Sequence, residues 1–177
     1  MIYSSSESEK EALLDVARLM VSAARTAPKA KGVDTILTMI VDGSDKDAVA
    51  DEMRKIAEGG EHLKTFSRDA GNVDNSDFLV LLAVKDCQLN IAVCSVCGFE
   101  NCAAAEAAGS PCAFNLSDLG TAAGSACAVA SHHWIDNRLM YTAGRAAMHL
   151  DLFGEKIRLC YGIPISARGK SIYFDRK

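Results

Sequence analysis

Four of the seven cysteines in this 177-residue chain fall between Cys94 and Cys112, spaced C-x2-C-x4-C-x9-C. Thiolates are soft ligands that select zinc, Cu(I) or iron–sulfur clusters. Structural zinc sites usually come as two short knuckles a dozen or more residues apart, and only Cys94 and Cys97 have knuckle spacing here. Cys94, Cys97 and Cys102, followed by Cys112 after a short excursion, suit a 4Fe–4S cubane reached from one wrapping loop. Gly98 lets the backbone come close to the sulfurs. Cys102 opens an alanine-rich helical turn whose N-terminal dipole favours an anionic cluster. Gly109-Ser-Pro111 then stops that turn and brings Cys112 back. Zinc on the same thiols, or four buried cysteines acting as small hydrophobes, are the alternatives at this point. Cys87, Cys127 and Cys160 are expected to be core thiols, with Cys87 near enough in sequence to replace a ligand.

No other chemistry competes with the cysteines. His132 and His133 are adjacent, so on a helix they point about 100° apart and cannot share a metal. Their expected role is a favourable contact with a helix C-terminus. His62 and His149 show no carboxylate or cysteine partner at useful spacing, and no G-x-S-x-G, P-loop or G-x-G-x-x-G occurs.

The elements that must position the thiols follow from periodicity. Ser8 with Glu11 reads as a capping box, and Leu13, Val16, Ala17, Met20, Ala23 and Ala24 then share one face of a helix that Pro28 ends near Thr26. Two nearly continuous apolar runs, 35–41 and 78–84, read as buried strands. Between them a helix is expected over 45–57, a short one over 61–69, and a polar loop over 71–77. After the cysteines, 116–134 is helical, with Gly120, Gly124 and Ala128 on one face that a neighbouring element should approach closely. Asp136 can cap a helix over 137–150, and 156–162 reads as a last strand. The tail is too apolar at Ile172-Tyr173-Phe174 to float free and should dock on something.

Composition sets the outer bounds. The chain is 49% hydrophobic and 24% charged, as globular proteins are, and its length suits a single domain over 1–177. Its net charge of −4 lacks the electrostatic footprint of a nucleic-acid binder. No apolar run approaches the ~20 residues of a membrane span, and residues 1–12 contain no apolar leader core. A cytoplasmic location is therefore expected. In that reducing compartment an odd number of cysteines does not build a disulfide framework.

Several blocks carry a resemblance that covers nearly the whole chain. They are Ala23-Ala-Arg-Thr-Ala-Pro-Lys-Ala-Lys-Gly-Val-Asp34, the Cys94–Cys102 run, Ser117-Asp-Leu-Gly-Thr-Ala-Ala-Gly-Ser125, Asp136-Asn-Arg-Leu-Met-Tyr141 and the stretch from Gly162 to Arg176. Through them the chain resembles a family of prokaryotic proteins described as containing a ferredoxin domain. The cysteine run, placed in a ferredoxin-like segment at 87–115, is also similar to the four-cysteine 4Fe–4S domain of corrinoid iron–sulfur proteins and membrane electron-transport complexes. Ser95 stands where that pattern usually has glycine.

The order of elements, the block closing the first helix and the basic tail after Gly162-Ile-Pro164 are similar to the flavin-dependent nitroreductases. That resemblance implies an α+β fold, an antiparallel or mixed sheet with flanking helices, into which the four-cysteine segment is inserted. It also implies an intertwined homodimer and bound FMN. Carried over by position, Arg25, Thr26, Pro28 and Lys29 would line the flavin, with Arg168 and Lys170 near its phosphate. The nitroreductase arginine pair near the N-terminus has no counterpart, since residues 1–9 contain no arginine. The expected function is an oxidoreductase or electron-transfer protein whose cluster exchanges single electrons with FMN or with a redox partner. The alternative is a non-catalytic binding module in which zinc or the cluster only staples the loop.

Overall fold

The computed structural model describes residues 2–174. Its first helix, α1 (Ser5–Thr26), begins one turn earlier than the Ser8 cap implies. Ser4 is the N-cap, and it exchanges reciprocal bonds with Glu7 in a capping box. Both serines satisfy the motif, and in a serine-rich start the earlier one captures more helical hydrogen bonds. Strand β1 (Ile36–Val41) follows, then α2 (Gly43–Ala57), a 3-10 turn at Glu61–Leu63, and α3 (Lys64–Asp74). Helix α3 runs straight through Gly71, where the sequence suggests a loop. Phe66, Ala70 and Val73 bury one face, and that burial outweighs the roughly 1 kcal/mol helix penalty of glycine.

Strand β2 (Phe78–Lys85) is the centre of the molecule. It pairs antiparallel with β1 on one side and with β4 (Ile157–Ser166) on the other. The short β3 (Asp136–Asn137) closes the far edge, giving the order β1-β2-β4-β3. Helices cover both faces of this antiparallel sheet, which explains why β2 reads as a continuous apolar run. Phe78, Val80, Leu82 and Val84 pack with α1 and α5 (Ala113–His132), while Leu79, Leu81 and Ala83 pack with α2, α3 and α6 (Tyr141–His149). Each buried Leu, Val or Phe stabilises by about 1.5–3 kcal/mol relative to exposure. Cys160 of β4 is wholly buried in the second core, and burial pushes its thiol up to about 12.

Three local expectations differ. Asp136 is not a helix cap but a residue of β3, opposite Ser166. The Met140–Gly162 bridge extends that edge and delays α6 to Tyr141. Gly120, Gly124 and Ala128 do not face a neighbouring element. They are exposed, and a Cβ on either glycine would meet nothing within 4 Å. The buried face of α5 is instead Leu119, Ala122, Ala123, Ala126 and Ala130. The close approach lies elsewhere: a Cβ on Gly144 would stand 1.9 Å from the Cys160 carbonyl oxygen, so α6 lies directly on β4.

The tail docks on its own chain. Tyr173 packs against the second core and donates its hydroxyl to the Pro164 carbonyl at 2.7 Å. Burial raises its pKa. Residues 175–177 of the tail lie outside the described residues. No helix of the described residues is long and apolar enough to cross a membrane.

Candidate metal centre

The cysteine segment is one long excursion, leaving β2 after Lys85 and returning at Cys112, the N-cap of α5. Its feet are tied to the sheet and helices. Lys85 N–H donates to the Thr35 carbonyl at 3.0 Å and Asp86 N–H to the Lys156 carbonyl at 3.0 Å. The Gln88 amide donates to the Ser110 carbonyl at 2.8 Å, drawing the outgoing and returning strands of the excursion together. Arg158 of β4 donates to the Gly109 carbonyl at 2.6 Å, just beyond α4 (Cys102–Ala107). Asn115 holds the Cys87 carbonyl at 2.7 Å and touches its Sγ at 3.3 Å, while its own Oδ1 accepts from the Thr35 hydroxyl at 3.2 Å.

Above these ties the loop shapes an open cavity of about 460 Å³, lined among others by Cys94, Cys97, Cys102, Phe99 and Glu100. Three of the four expected ligands therefore share one cavity. The turns that make it use left-handed backbone at Asn90, Val93, Ser95 and Gly98, with φ of 51°, 51°, 52° and 86°. For β-branched Val93 that conformation is costly, and such strain concentrates where a loop is shaped for a ligand. Three cysteines line the cavity, with Asn90, Ser95, Glu100 and Asn101 as its polar remainder, and three thiols in one lining suit soft metals and iron–sulfur clusters.

Cys112 is buried at the foot of α5 and does not line this cavity. Among the described residues no three His, Cys, Asp or Glu side chains stand together at metal-binding separation. The thiols are gathered but not converged, and ligation requires the loop to tighten around its guest. Cys87 is exposed and Cys127 half-buried, unlike the core thiols expected, and only Cys160 is fully buried. His149, which lacked a partner in sequence, stands 3.3 Å from Glu52 across α2 and α6.

The six flavin candidates fall into two groups. Arg25 pairs with Asp34 and donates to the Ile36 carbonyl at 2.7 Å. The Thr26 hydroxyl bonds back to the Ser22 carbonyl at 3.2 Å, and Pro28 is exposed. Lys29 Nζ donates to the carbonyls of Ala24, Arg25 and Ala27 at 3.1, 2.6 and 2.8 Å, capping the end of α1. Burial opposes ionisation of Asp34. The hydrogen bonds from Arg25 and Ile36 N–H, with the charges of Arg25 and Lys29, nevertheless hold its carboxyl below the ordinary range. At the other group, Arg168 donates to the Asn75 carbonyl at 3.1 Å and stands 3.8 Å from Asp77, and Lys170 is exposed.

The two groups sit at opposite ends of the sheet. Ile36 is level with Val84, whereas Asp77 precedes Phe78, which is level with Ile165. Six strand steps separate those levels, about 20 Å at ~3.3 Å per residue. Within one chain the basic tail does not fold back to Arg25, contrary to what a single-chain phosphate site needs. The residues that sequence reasoning missed are Lys31, Asn115 and Asp118, polar side chains inside segments that read as a loop or an apolar helix. The signal available was the spacing of Cys112, Asn115 and Asp118 at every third residue, one helical face.

Comparison with known proteins accords with this architecture. A family described as "uncharacterized protein containing a ferredoxin domain" matches residues 108–176, a stretch that includes Cys112 but begins after Cys102. A protein of Archaeoglobus fulgidus is 39% identical over 99% of this chain and 98% of its own length. Among solved structures, an FMN-bound nitroreductase from Desulfitobacterium hafniense is 12% identical with a TM-score of 0.61, covering 96% of this chain and 81% of its own. The FMN-dependent nitroreductase NfnB of Mycobacterium smegmatis, in complex with NADPH, is 12% identical with a TM-score of 0.58, covering 88% and 78%. At that identity the likeness establishes a nitroreductase-like fold.

Proposed function

The chain belongs to the family of proteins described by a ferredoxin domain, and from that premise we propose that it is an electron-transfer protein or oxidoreductase carrying an iron–sulfur cluster. Cys94, Cys97, Cys102 and Cys112 would hold the cluster, of the 4Fe–4S type, within the segment 87–115 of a single domain. The observation that carries this is the gathering of three thiols around one cavity, on a loop whose two feet are bonded to the sheet and to α5. A bound cluster supplies one-electron storage and transfer, its potential set by charge, hydrogen bonds and exposure. The chain's own residues supply the rest. The ties of Gln88, Arg158 and Asn115 would keep the thiols within reach of one another.

FMN is a further part of this proposal, favoured by the nitroreductase-like fold. Arg25, Thr26, Pro28 and Lys29 at the end of α1 would face it, with Arg168 and Lys170 on its phosphate. The roughly 20 Å between those groups is more than one phosphate can bridge, so a phosphate that met both groups would need two chains. A homodimer is consistent with the outer face of α5, where Ser117, Gly120, Thr121, Gly124 and Ala128 are exposed without a charged side chain among them.

A structural zinc is the second reading, favoured by the C-x2-C spacing of Cys94 and Cys97. Anaerobic purification followed by iron, sulfide, zinc and flavin analysis separates the two. A brown protein whose visible absorption bleaches with dithionite is expected. A colourless protein holding stoichiometric zinc would overturn the cluster in favour of the staple.

A further inference from the structure

Lys31 belongs to none of the cysteine motifs, yet its ammonium donates to the Leu89 carbonyl at 3.0 Å and the Asn90 carbonyl at 3.3 Å. Those carbonyls lie where the excursion leaves its foot, and Asn90 is the first residue to line the cysteine cavity. The reach is not accidental to the local chain. Lys31 has φ +57° and ψ 9°, a left-handed conformation that a side-chain-bearing residue adopts only when its surroundings enforce it.

Here the enforcement comes from α5. The Asp118 carboxylate accepts the Ala30 N–H with both oxygens, at 3.1 and 3.0 Å, and is itself buried. Gly32 N–H and Val33 N–H close the turn onto the Lys29 and Ala30 carbonyls at 2.9 and 3.2 Å. Asp118 shares its helical face with Asn115, which holds Cys87, and with Cys112 at the N-cap. A single buried face of α5 thus carries one thiol, grips the outgoing foot of the cysteine loop and shapes the turn that aims Lys31 at that same foot.

We propose that Lys31 is a positioning residue for the cysteine loop, fastening its entry to the turn after α1. Resting on the iron–sulfur assignment above, its positive charge also raises the reduction potential of the bound cluster. A reducing electron adds negative charge to a thiolate-ligated centre, and a cation fixed at the loop entry favours the reduced state. No bond forms or breaks in that step. One electron enters from the reductant, dithionite in the titration below.

The experiment compares wild type with Lys31→Met and Lys31→Arg in the full chain. In the metal-free proteins, backbone amide order parameters over 89–94 are expected to fall toward the flexible range, below about 0.6, in Lys31→Met and to return toward wild type in Lys31→Arg. Order parameters along β2 should be unchanged in both. Equal order parameters at 89–94 in Lys31→Met and wild type would overturn the positioning role. In the reconstituted proteins, potentiometric titration with dithionite is expected to give a lower potential for Lys31→Met and a restored one for Lys31→Arg. Unshifted potentials with a loosened loop would overturn the electrostatic half alone. A wild type that binds no iron would instead overturn the cluster assignment and with it the electrostatic half, while the order-parameter comparison still decides the positioning role.

Discussion

At the scale of single residues, the cysteines divide by where their chain segments place them. Cys94, Cys97 and Cys102 share the cavity, so replacing any one by alanine takes one thiol out of the proposed ligand set. Cys97→Ala is expected to abolish iron incorporation, measured as iron and sulfide per chain after anaerobic reconstitution, and normal iron content would refute the assignment. Cys112→Ala should lose iron only partly, because Cys87, whose Sγ is 3.3 Å from Asn115 on the same helix as Cys112, is near enough to approach in its place. Asp34 makes a second prediction. Its carboxyl is held below its ordinary range when folded, so its contribution to stability is complete above the unfolded carboxylate value near 4 and is lost as pH falls through the lower folded value. Thermal unfolding midpoints should therefore drop below about pH 4 more steeply in wild type than in Asp34→Asn. Equal pH profiles would show that the Arg25 pair contributes nothing to the α1–β1 junction.

At the scale of elements, the three longer strands and the buried face of α1 were legible, while the short β3 and the buried face of α5 were not. The two apolar runs that become β1 and β2 admit little else, since both faces of β2 are covered. Helix α5 is a different case. Alanines, glycines and serines occur all around it, so periodicity alone cannot tell which small-residue stripe meets the sheet. The stripe 120–124–128 looks like a close-packing seam and is exposed, while Gly144, inconspicuous in Thr142-Ala-Gly-Arg145, is where α6 touches the β4 backbone. The paired outcome is testable by denaturant unfolding. Gly124→Ala, with open space at its Cβ, should stabilise the chain by about 0.4–1 kcal/mol. Gly144→Ala, with a Cβ driven into the Cys160 carbonyl, should cost about 3 kcal/mol or leave the chain unfolded. If both substitutions are neutral, the α6–β4 contact is wrong. Gly124→Leu tests the proposed homodimer: if this face joins two chains, light scattering should show a dimeric wild type and a monomeric variant, and a monomeric wild type would remove the homodimer.

At the scale of the whole molecule, what the sequence could not convey is distance across the sheet. Arg25 and Lys29 close α1, Arg168 and Lys170 follow β4, and both sets look equally available to one phosphate when written in a line. Antiparallel pairing puts them about 20 Å apart, at the two ends of β2. If both sets met the phosphate itself, they would have to come from two chains related by a two-fold axis. A charge-assisted hydrogen bond to phosphate contributes about 1.5–3 kcal/mol, so Arg25→Ala and Lys170→Ala should each weaken FMN binding roughly ten- to a hundred-fold in a flavin-fluorescence titration. The decisive sample is an equal mixture of the two variants after subunit exchange. Half of its dimers are mixed, and each mixed dimer contains one site with both cations intact and one with neither. About a quarter of all sites should then regain wild-type affinity. A mixture that shows only the weakened affinities of its components would place all the cations of one site on one chain, against the geometry of the sheet. No saturable binding to wild type would remove FMN and leave the cysteine loop as the redox centre on its own.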